Sequence, residues 1–343
     1  MAQAHVLITG VAGYIGSLLT GALLERGYSV TVVDKLLFGG ESLLGFAHHP
    51  RFRFTPGDVT EPGTLEATAG GLRVGRLDPA PVDAVVHLAA LVGFPACQAV
   101  GPKVAWLYNT DSVRLVYETA EKAGAKRFVM ASTYSNYGLS EDGQPVDETS
   151  PLNPQSLYAE TKIAAEKLLL ERAPDSECAP VILRFATLFG VSPRTRFDLI
   201  VNQFVHEALT RRKLVIYQRG YARSFLHVHD TCRAIRIALE APAEQVGGEV
   251  FNVGSDGMNH TKDEIVSMVQ RHVPGTEVEI KDLTFGGDMR DIRVSFAKIR
   301  RVLDFEPTIL VEDGVREVRD ALMDGLIPDA GDDRYRNAQF IVQ

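Results

Sequence analysis

His5-Val-Leu-Ile-Thr9-Gly10-Val-Ala12-Gly13-Tyr14-Ile15-Gly16 is the stretch that decides the fold. Its first five residues form a short apolar run of strand type. Glycines follow at every third position, and then Leu18, Leu19, Leu23 and Leu24 repeat with helical spacing. Strand, glycine turn and helix in this order make a phosphate-binding device. The N–H groups at the helix start point at an anion, and the glycines let the backbone come close to it. The turn residues Gly10, Ala12, Gly13, Tyr14, Ile15 and Gly16 are therefore candidate cofactor contacts. The next strand-like run, Ser29–Val33, ends in Asp34. An acid at that distance suits the two hydroxyls of a ribose, so NAD is the expected cofactor. Lys35, next to it, keeps NADP as the alternative.

Outward from this unit, strand-like runs recur at Phe52–Thr55, Ala84–Leu88, Arg127–Ala131 and Val181–Phe185. Helical patterns separate them, notably Asn109–Ala123 and Tyr158–Arg172. Six such strands with crossover helices predict an α/β fold, a Rossmann-type doubly wound parallel sheet. The strand tips carry Gly10, Asp34, Asp58, Ala89-Ala90 and Ser132-Thr133, so these residues should meet in one crevice. Past residue 185 the texture changes. Short elements alternate irregularly: Phe197–Arg211, Leu214–Tyr217, Asp230–Glu240, Val250–Val253, Thr261–Arg271 and Glu312–Met323. The expected organisation is an NAD-binding domain over 1–185 and a smaller substrate-binding domain over 186–343, interleaved with the first. The polar tail from Asp329 is either loose or docked at an interface.

Composition narrows the partners. A chain of 343 residues that is 45% hydrophobic can bury one large core or two modest ones. Its formal charge of −8 argues against nucleic acid or an anionic membrane as partner. An anionic substrate would need local arginines to hold it. Three scattered cysteines, Cys97, Cys178 and Cys232, fit free thiols in a reducing cytoplasm. No apolar run reaches membrane-spanning length. The strand at the N-terminus leaves no room for a signal peptide. His227 and His229 are spaced by two on an expected strand, but no third ligand is near, so no metal site is expected.

The chemistry centres on Tyr158-Ala-Glu-Thr-Lys162. At this spacing phenol and amine share one helix face. A free phenol has a pKa of about 10. A neighbouring ammonium favours the phenolate, so the tyrosine can exchange a proton near neutral pH. Hydride transfer at a carbinol carbon needs such a proton handled on the attached oxygen. Thr133, at the end of the fifth strand, is placed to hydrogen-bond the same oxygen.

With these motifs the chain resembles the extended short-chain dehydrogenase/reductases that act on nucleotide sugars. The glycine turn, Asp58-Val59 after Gly57, His87-Leu88-Ala89-Ala90, Asn109 and Ser132-Thr133-Tyr134-Ser135-Asn136-Tyr137-Gly138 all resemble family motifs. The resemblance implies cofactor contacts at Asp58, Val59, Leu88, Ala89, Ala90, Asn109, Ser132, Tyr158 and Lys162. It implies catalytic roles for Thr133, Tyr158 and Lys162. Arg223, in Arg223-Ser-Phe-Leu-His-Val-His-Asp230, and Arg290 resemble the arginines that hold a substrate diphosphate. A homodimer built on Asn109–Ala123 and Tyr158–Arg172 is implied as well.

Departures from the family pattern bear on the reaction. The family's 4,6-dehydratases carry Asp and Glu where this chain has Tyr134 and Ser135, and its decarboxylases carry Glu at the Ser135 position. Neither substitute can act as a carboxylate acid or base. Thr187 stands where an asparagine is common, and Arg194 and Arg196 follow near the expected pocket. These residues, with Tyr134 and Ser135, are the candidate sugar contacts. The expected activity is NAD-dependent epimerisation of a nucleotide-diphosphate sugar through a transient keto-sugar, at C4. The alternatives are an NAD(P)H-dependent nucleotide-4-ketosugar reductase and a non-catalytic NAD-sensing regulator.

Overall fold

The apolar runs become strands because β-branched residues fill them and glycine or polar residues end them. The computed structural model describes residues 4–69, 81–138, 144–281 and 292–338. The first six strands are β1 (His5–Thr9), β2 (Ser29–Asp34), β3 (Phe52–Pro56), β4 (Ala84–His87), β5 (Arg127–Thr133) and β6 (Ala179–Phe185). They are followed by β7 (Thr187–Phe189), β8 (Lys213–Tyr217), β9 (Ala222–His227), β10 (Glu249–Val253), β11 (Asn259–Thr261) and β12 (Glu277–Lys281). The main sheet has seven strands in the order β10-β6-β5-β4-β1-β2-β3, with every neighbouring pair parallel. This is the doubly wound arrangement. Ile8, Val32, Val85 and Val86 are fully buried, as a parallel sheet covered by helices on both faces requires.

Register brings the tips level. Thr9 lies opposite Val33 on one side and His87 on the other, and Thr133 lies opposite Phe185. Gly10, Asp34, Leu88 and Tyr134 therefore emerge along one edge of the sheet.

The chain beyond residue 185 contributes to both halves. β10, which sequence places among the irregular elements, is the seventh strand of the main sheet, beside β6. The helix Val228–Glu240 carries the chain back across one face to reach it. The remaining elements make two small sheets, β11-β9-β7 and β12-β8. They have an apolar core of their own, including Phe189, Phe197, Val201, Val205, Leu214, Phe225, Ile265 and Val315.

Two helices position the chemistry. The helix Leu157–Arg172 is capped by Ser156, whose hydroxyl accepts the Ala159 N–H at 3.2 Å. Its inward face is Ala159, Lys162, Ala165, Glu166 and Leu169, at helical spacing, so Lys162 and Glu166 are carried into the interior. The expected helix Asn109–Ala123 instead begins as a wide π turn, Leu107–Asp111, and continues as an α-helix over Ser112–Lys122. The expected helix from Phe197 starts later, at Ile200. Phe197 is held out of it because its N–H donates to the Tyr335 carbonyl at 2.9 Å and its ring meets that tyrosine edge-on.

Candidate active site

A cavity of about 1100 Å³ opens over the strand tips, between the main sheet and the smaller half. It is large enough for two ligands side by side. The glycine turn forms its floor. Gly10 has φ +73°, and a Cβ there would lie 2.5 Å from the Ala89 nitrogen. A Cβ on Gly16 would lie 2.6 Å from the Val11 Cα. Only glycine keeps this floor flat. The helix Tyr14–Glu25 starts against it, and no side chain caps its first N–H groups. A pyrophosphate fits both features.

Asp34 stands at the next tip. Its carboxylate accepts the Ala12 N–H at 2.9 Å and the Leu36 N–H at 2.7 Å, one on each oxygen. Burial raises its pKa, and the two backbone N–H groups and Lys35 pull it back. Lys35 is turned away from it. The ammonium donates to Asp58 at 2.9 Å and to the Tyr108 hydroxyl at 2.7 Å. That leaves Asp34 to receive a ribose diol and gives a 2′-phosphate no cation from Lys35, so the residues present fit NAD. The Asp58 pKa is lowered to about 2: burial opposes ionisation, but hydrogen bonds from Tyr108, Thr60 and Lys35 outweigh it.

On the cavity wall, Lys162 is 3% exposed. Its ammonium donates to the Ala131 carbonyl at 3.0 Å, which leaves two N–H groups for a ligand. Burial lowers its pKa to about 8, against the opposite pull of Cys97 and Glu166. His87 lies in the same interior. Burial and then Lys162 hold it near a pKa of about 3, hence neutral, and its Nδ1 is 2.9 Å from the Thr9 hydroxyl. The lysine shift has a measurable consequence. Its unfolded pKa is about 10.4, so between pH 8 and pH 10.4 the unfolded chain binds the extra proton. Below pH 8 the folded cofactor-free protein carries the full cost of a buried ammonium, up to about 3 kcal/mol. Lys162→Met should therefore stabilise the cofactor-free protein at pH 7, and the gain should fall from about pH 8 and be gone only above about pH 10.4. Paired urea denaturations across that range measure it.

Thr133 donates its hydroxyl to Ser135 at 3.1 Å and accepts the Ser135 N–H at the same distance. The Tyr134 hydroxyl is 2.8 Å from that of Thr187. Behind them lies a network that sequence did not suggest. Arg184 donates to both oxygens of Glu166, at 2.6 Å in its shortest contact, and the two side chains are 5% and 2% exposed. Glu166 also accepts hydrogen bonds from Ser132 and Asn136. The only sequence signal was the helical spacing of Glu166 from Lys162.

The wall of the cavity contains Gly10, Ala12, Gly13, Tyr14, Ile15, Gly16, Asp34, Lys35, Asp58, Val59, Leu88, Ala89, Ala90 and Ser132, and across from them Thr133, Tyr134, Ser135, Tyr158, Lys162, Thr187, Arg194, Arg196 and Arg223. Asn109 is not in it. Its amide accepts the Leu91 N–H at 2.8 Å and donates to the Leu91 carbonyl at 3.0 Å and to Thr161 at 3.1 Å. Through these bonds it braces the wall from behind. Arg290 lies outside the described residues. His227 ends β9 while His229 begins the following helix, so the two do not share a strand face; their rings stack at 5.5 Å, and His227 bonds Glu317 at 2.8 Å. No cluster of three metal-binding side chains occurs among the described residues. The tail, up to Ala338, docks into the cavity wall of its own chain: Asn337 accepts from Arg194 at 2.7 Å.

Charge in the cavity runs against that of the chain. Among the described wall residues, six are cationic (Lys35, Lys162, Arg194, Arg196, Arg223, Lys262) and three acidic (Asp34, Asp58, Asp198), in a protein of net charge −8. Anionic ligands are therefore favoured locally.

A parallel sheet with a glycine-cradled dinucleotide site, and a tyrosine–lysine pair on its wall, defines the extended short-chain dehydrogenase/reductase class. The chain belongs to the NAD dependent epimerase/dehydratase family, whose model matches residues 6–254, and NAD is its cofactor. A dTDP-glucose 4,6-dehydratase of Actinoplanes sp. is 30% identical over 325 residues, covering 91% of this chain and 95% of the relative. Among solved structures, a UDP-glucose 4-epimerase of Thermotoga maritima is 25% identical with a TM-score of 0.81, covering 94% of this chain and 99% of that one. The dTDP-glucose 4,6-dehydratase DesIV of Streptomyces venezuelae, solved with NAD bound, is 28% identical with a TM-score of 0.79, covering 94% and 98%.

Proposed function

We propose that the protein is a nucleotide-sugar epimerase acting at C4 through a transient keto-sugar. The observation that carries this reading is that the two positions after Thr133 hold a tyrosine and a serine and no carboxylate. Elimination or decarboxylation along the family's routes uses an acid there, and this chain has Tyr134 and Ser135, both engaged by neutral hydroxyl partners. Among the described wall residues, the acid beyond the cofactor side is Asp198, and Arg196 grips it with two hydrogen bonds of 3.0 and 2.8 Å.

The glycine turn and Asp34 would hold the dinucleotide, with Lys162 on its nicotinamide ribose. When bound, NAD supplies a reversible hydride acceptor. Tyr158 takes the proton of the C4 hydroxyl and later gives it back. Lys162 favours the phenolate. Thr133 orients the same oxygen. Arg223 holds the diphosphate, so the sugar can turn while its anchor stays fixed. Because the cofactor is recycled, purified protein should convert a nucleotide sugar to its C4 epimer with no nicotinamide added. A stoichiometric requirement for NADH or NADPH would instead identify the ketosugar reductase that the same residues allow.

The division into a cofactor-binding part (1–185) and a substrate-binding part (186–343), with β10 returned to the first, suits this cycle. Three buried free cysteines suit a cytoplasmic setting, and no helix among the described residues is long and apolar enough to cross a membrane. The helices Ser112–Lys122 and Leu157–Arg172 pack side by side behind the site, and a second copy docked on them would make a homodimer. Sedimentation equilibrium at micromolar protein should give twice the chain mass; a monomer there rejects the dimer.

A further inference from the structure

Two cations of the cavity wall, Arg194 and Arg196, lie beside a single acid, Asp198. Arg194 is 6% exposed and lines the cavity. Its two Nη atoms are engaged, with Asn337 at 2.7 Å and the Arg334 carbonyl at 2.8 Å, and its guanidinium lies 3.9 Å from the Phe38 ring centroid. Its Nε is buried and has no hydrogen-bond partner among the described residues. A buried N–H on a cation is costly to leave unmade, and Arg194 carries a positive charge that its hydrogen-bond partners, an amide and a carbonyl, do not neutralise. Burial, and then the nearby Arg196, pushes the Arg194 pKa down to about 10, as expected for a cation short of an anion.

Arg196 is 9% exposed and lines the same cavity. Asp198 takes its Nε and Nη2, leaving Nη1 without a partner among the described residues. Asp198 also accepts the Asn337 N–H at 3.2 Å. Two arginines and one aspartate leave one uncompensated positive charge. Arg196 is also within electrostatic reach of Tyr14 and Tyr158, and all three line the same cavity. Arg223, also on the wall, is the arginine assigned above to the diphosphate, and the start of the helix Tyr14–Glu25 to the dinucleotide pyrophosphate.

We infer that Arg194 and Arg196 form an anion subsite for the sugar itself, so that the substrate is an acidic nucleotide sugar, a hexuronate whose carboxylate neutralises this pair. The inference rests on the nucleotide-sugar reading above and narrows it. A carboxylate matches the pair in sign, and Arg196 Nη1 is the donor left for it once Asp198 has taken Nε and Nη2. The C-terminal strap belongs to the subsite, because Asn337 fixes Arg194 through its side chain and Asp198 through its backbone.

The test is binding without turnover. NAD-loaded protein is titrated calorimetrically with matched glucose and glucuronate conjugates of UDP, dTDP, GDP and CDP. On the base that binds best, the glucuronate should bind on the order of tenfold to a hundredfold more tightly than the glucose, the range of one charge-assisted contact. Arg194→Gln should erase that preference, weakening the glucuronate conjugate on the order of tenfold to a hundredfold more than the glucose conjugate. Arg196→Lys, which keeps the charge and loses the planar fork, should reduce the preference in part and guards against a misfolded first variant. Equal affinity for both sugars overturns the inference and leaves the nucleotide-sugar reading intact. So does an Arg194 variant that weakens both sugars equally, which assigns the arginine to the diphosphate, or one that weakens NAD alone, which assigns it to the cofactor. Binding of no conjugate on any base overturns both readings.

Discussion

Tyr158→Phe should lower turnover by about 10²- to 10⁴-fold, the span typical of a positioned acid–base group, with NAD affinity unchanged. The ring keeps its place in the cavity wall, and the phenylalanine differs by one hydroxyl. The features proposed to hold the dinucleotide are Gly10, Gly16, the start of the helix Tyr14–Glu25 and Asp34, none of which the substitution changes. What is lost is the atom proposed to exchange the C4 hydroxyl proton. His87 cannot replace it, because burial holds it neutral near a pKa of about 3 and its Nδ1 faces Thr9. Stopped-flow turnover beside a calorimetric NAD titration separates the two effects. Unchanged turnover would remove Tyr158 from the chemistry; lost NAD binding would make its role structural.

Glu166→Ala should destabilise the protein by about 3–5 kcal/mol, the usual cost of stranding one member of a buried ion pair. Burial alone would lower the Arg184 pKa, but Glu166 and then Tyr137 outweigh it and hold it above its ordinary value. Removing the carboxylate leaves that guanidinium charged in the interior. It also strips an acceptor from Ser132 and Asn136, which flank Thr133 at the end of β5. The double variant Glu166→Ala/Arg184→Met should cost less than the two single variants added together, because no charge is then stranded. Urea denaturation of all four proteins measures the coupling. Additive costs would show that the pair contributes no mutual stabilisation.

The features legible in sequence are those written in local pattern. β1, the glycine turn and its helix occupy consecutive residues, so Gly10, Gly13 and Gly16 announce themselves. Asp34 follows at the end of the next strand, and Tyr158 and Lys162 share one helical turn. What escaped depends on contacts between distant residues. β10 joins the main sheet because its register with β6 is available there, and nothing within Glu249–Val253 says so. Glu166 and Arg184 are 18 residues apart on a helix and a strand, and look like ordinary charges until both are buried. Arg194 meets Asn337 across 143 residues, so a tail that sequence left either loose or docked becomes part of the wall. Asn109 was readable as a motif but not as a brace, because its partners Leu91 and Thr161 belong to other elements.

The central claim is that the C4 carbon of the sugar is oxidised and reduced again within one binding event. The direct measurement uses a nucleotide sugar carrying deuterium at C4, incubated with the purified protein in ordinary water without added nicotinamide, with the products read by NMR. The account predicts both C4 epimers, each retaining deuterium at C4. Deuterium relocated to C6 with loss of water, deuterium lost to solvent, or no reaction until reduced nicotinamide is supplied in stoichiometric amount would each contradict it.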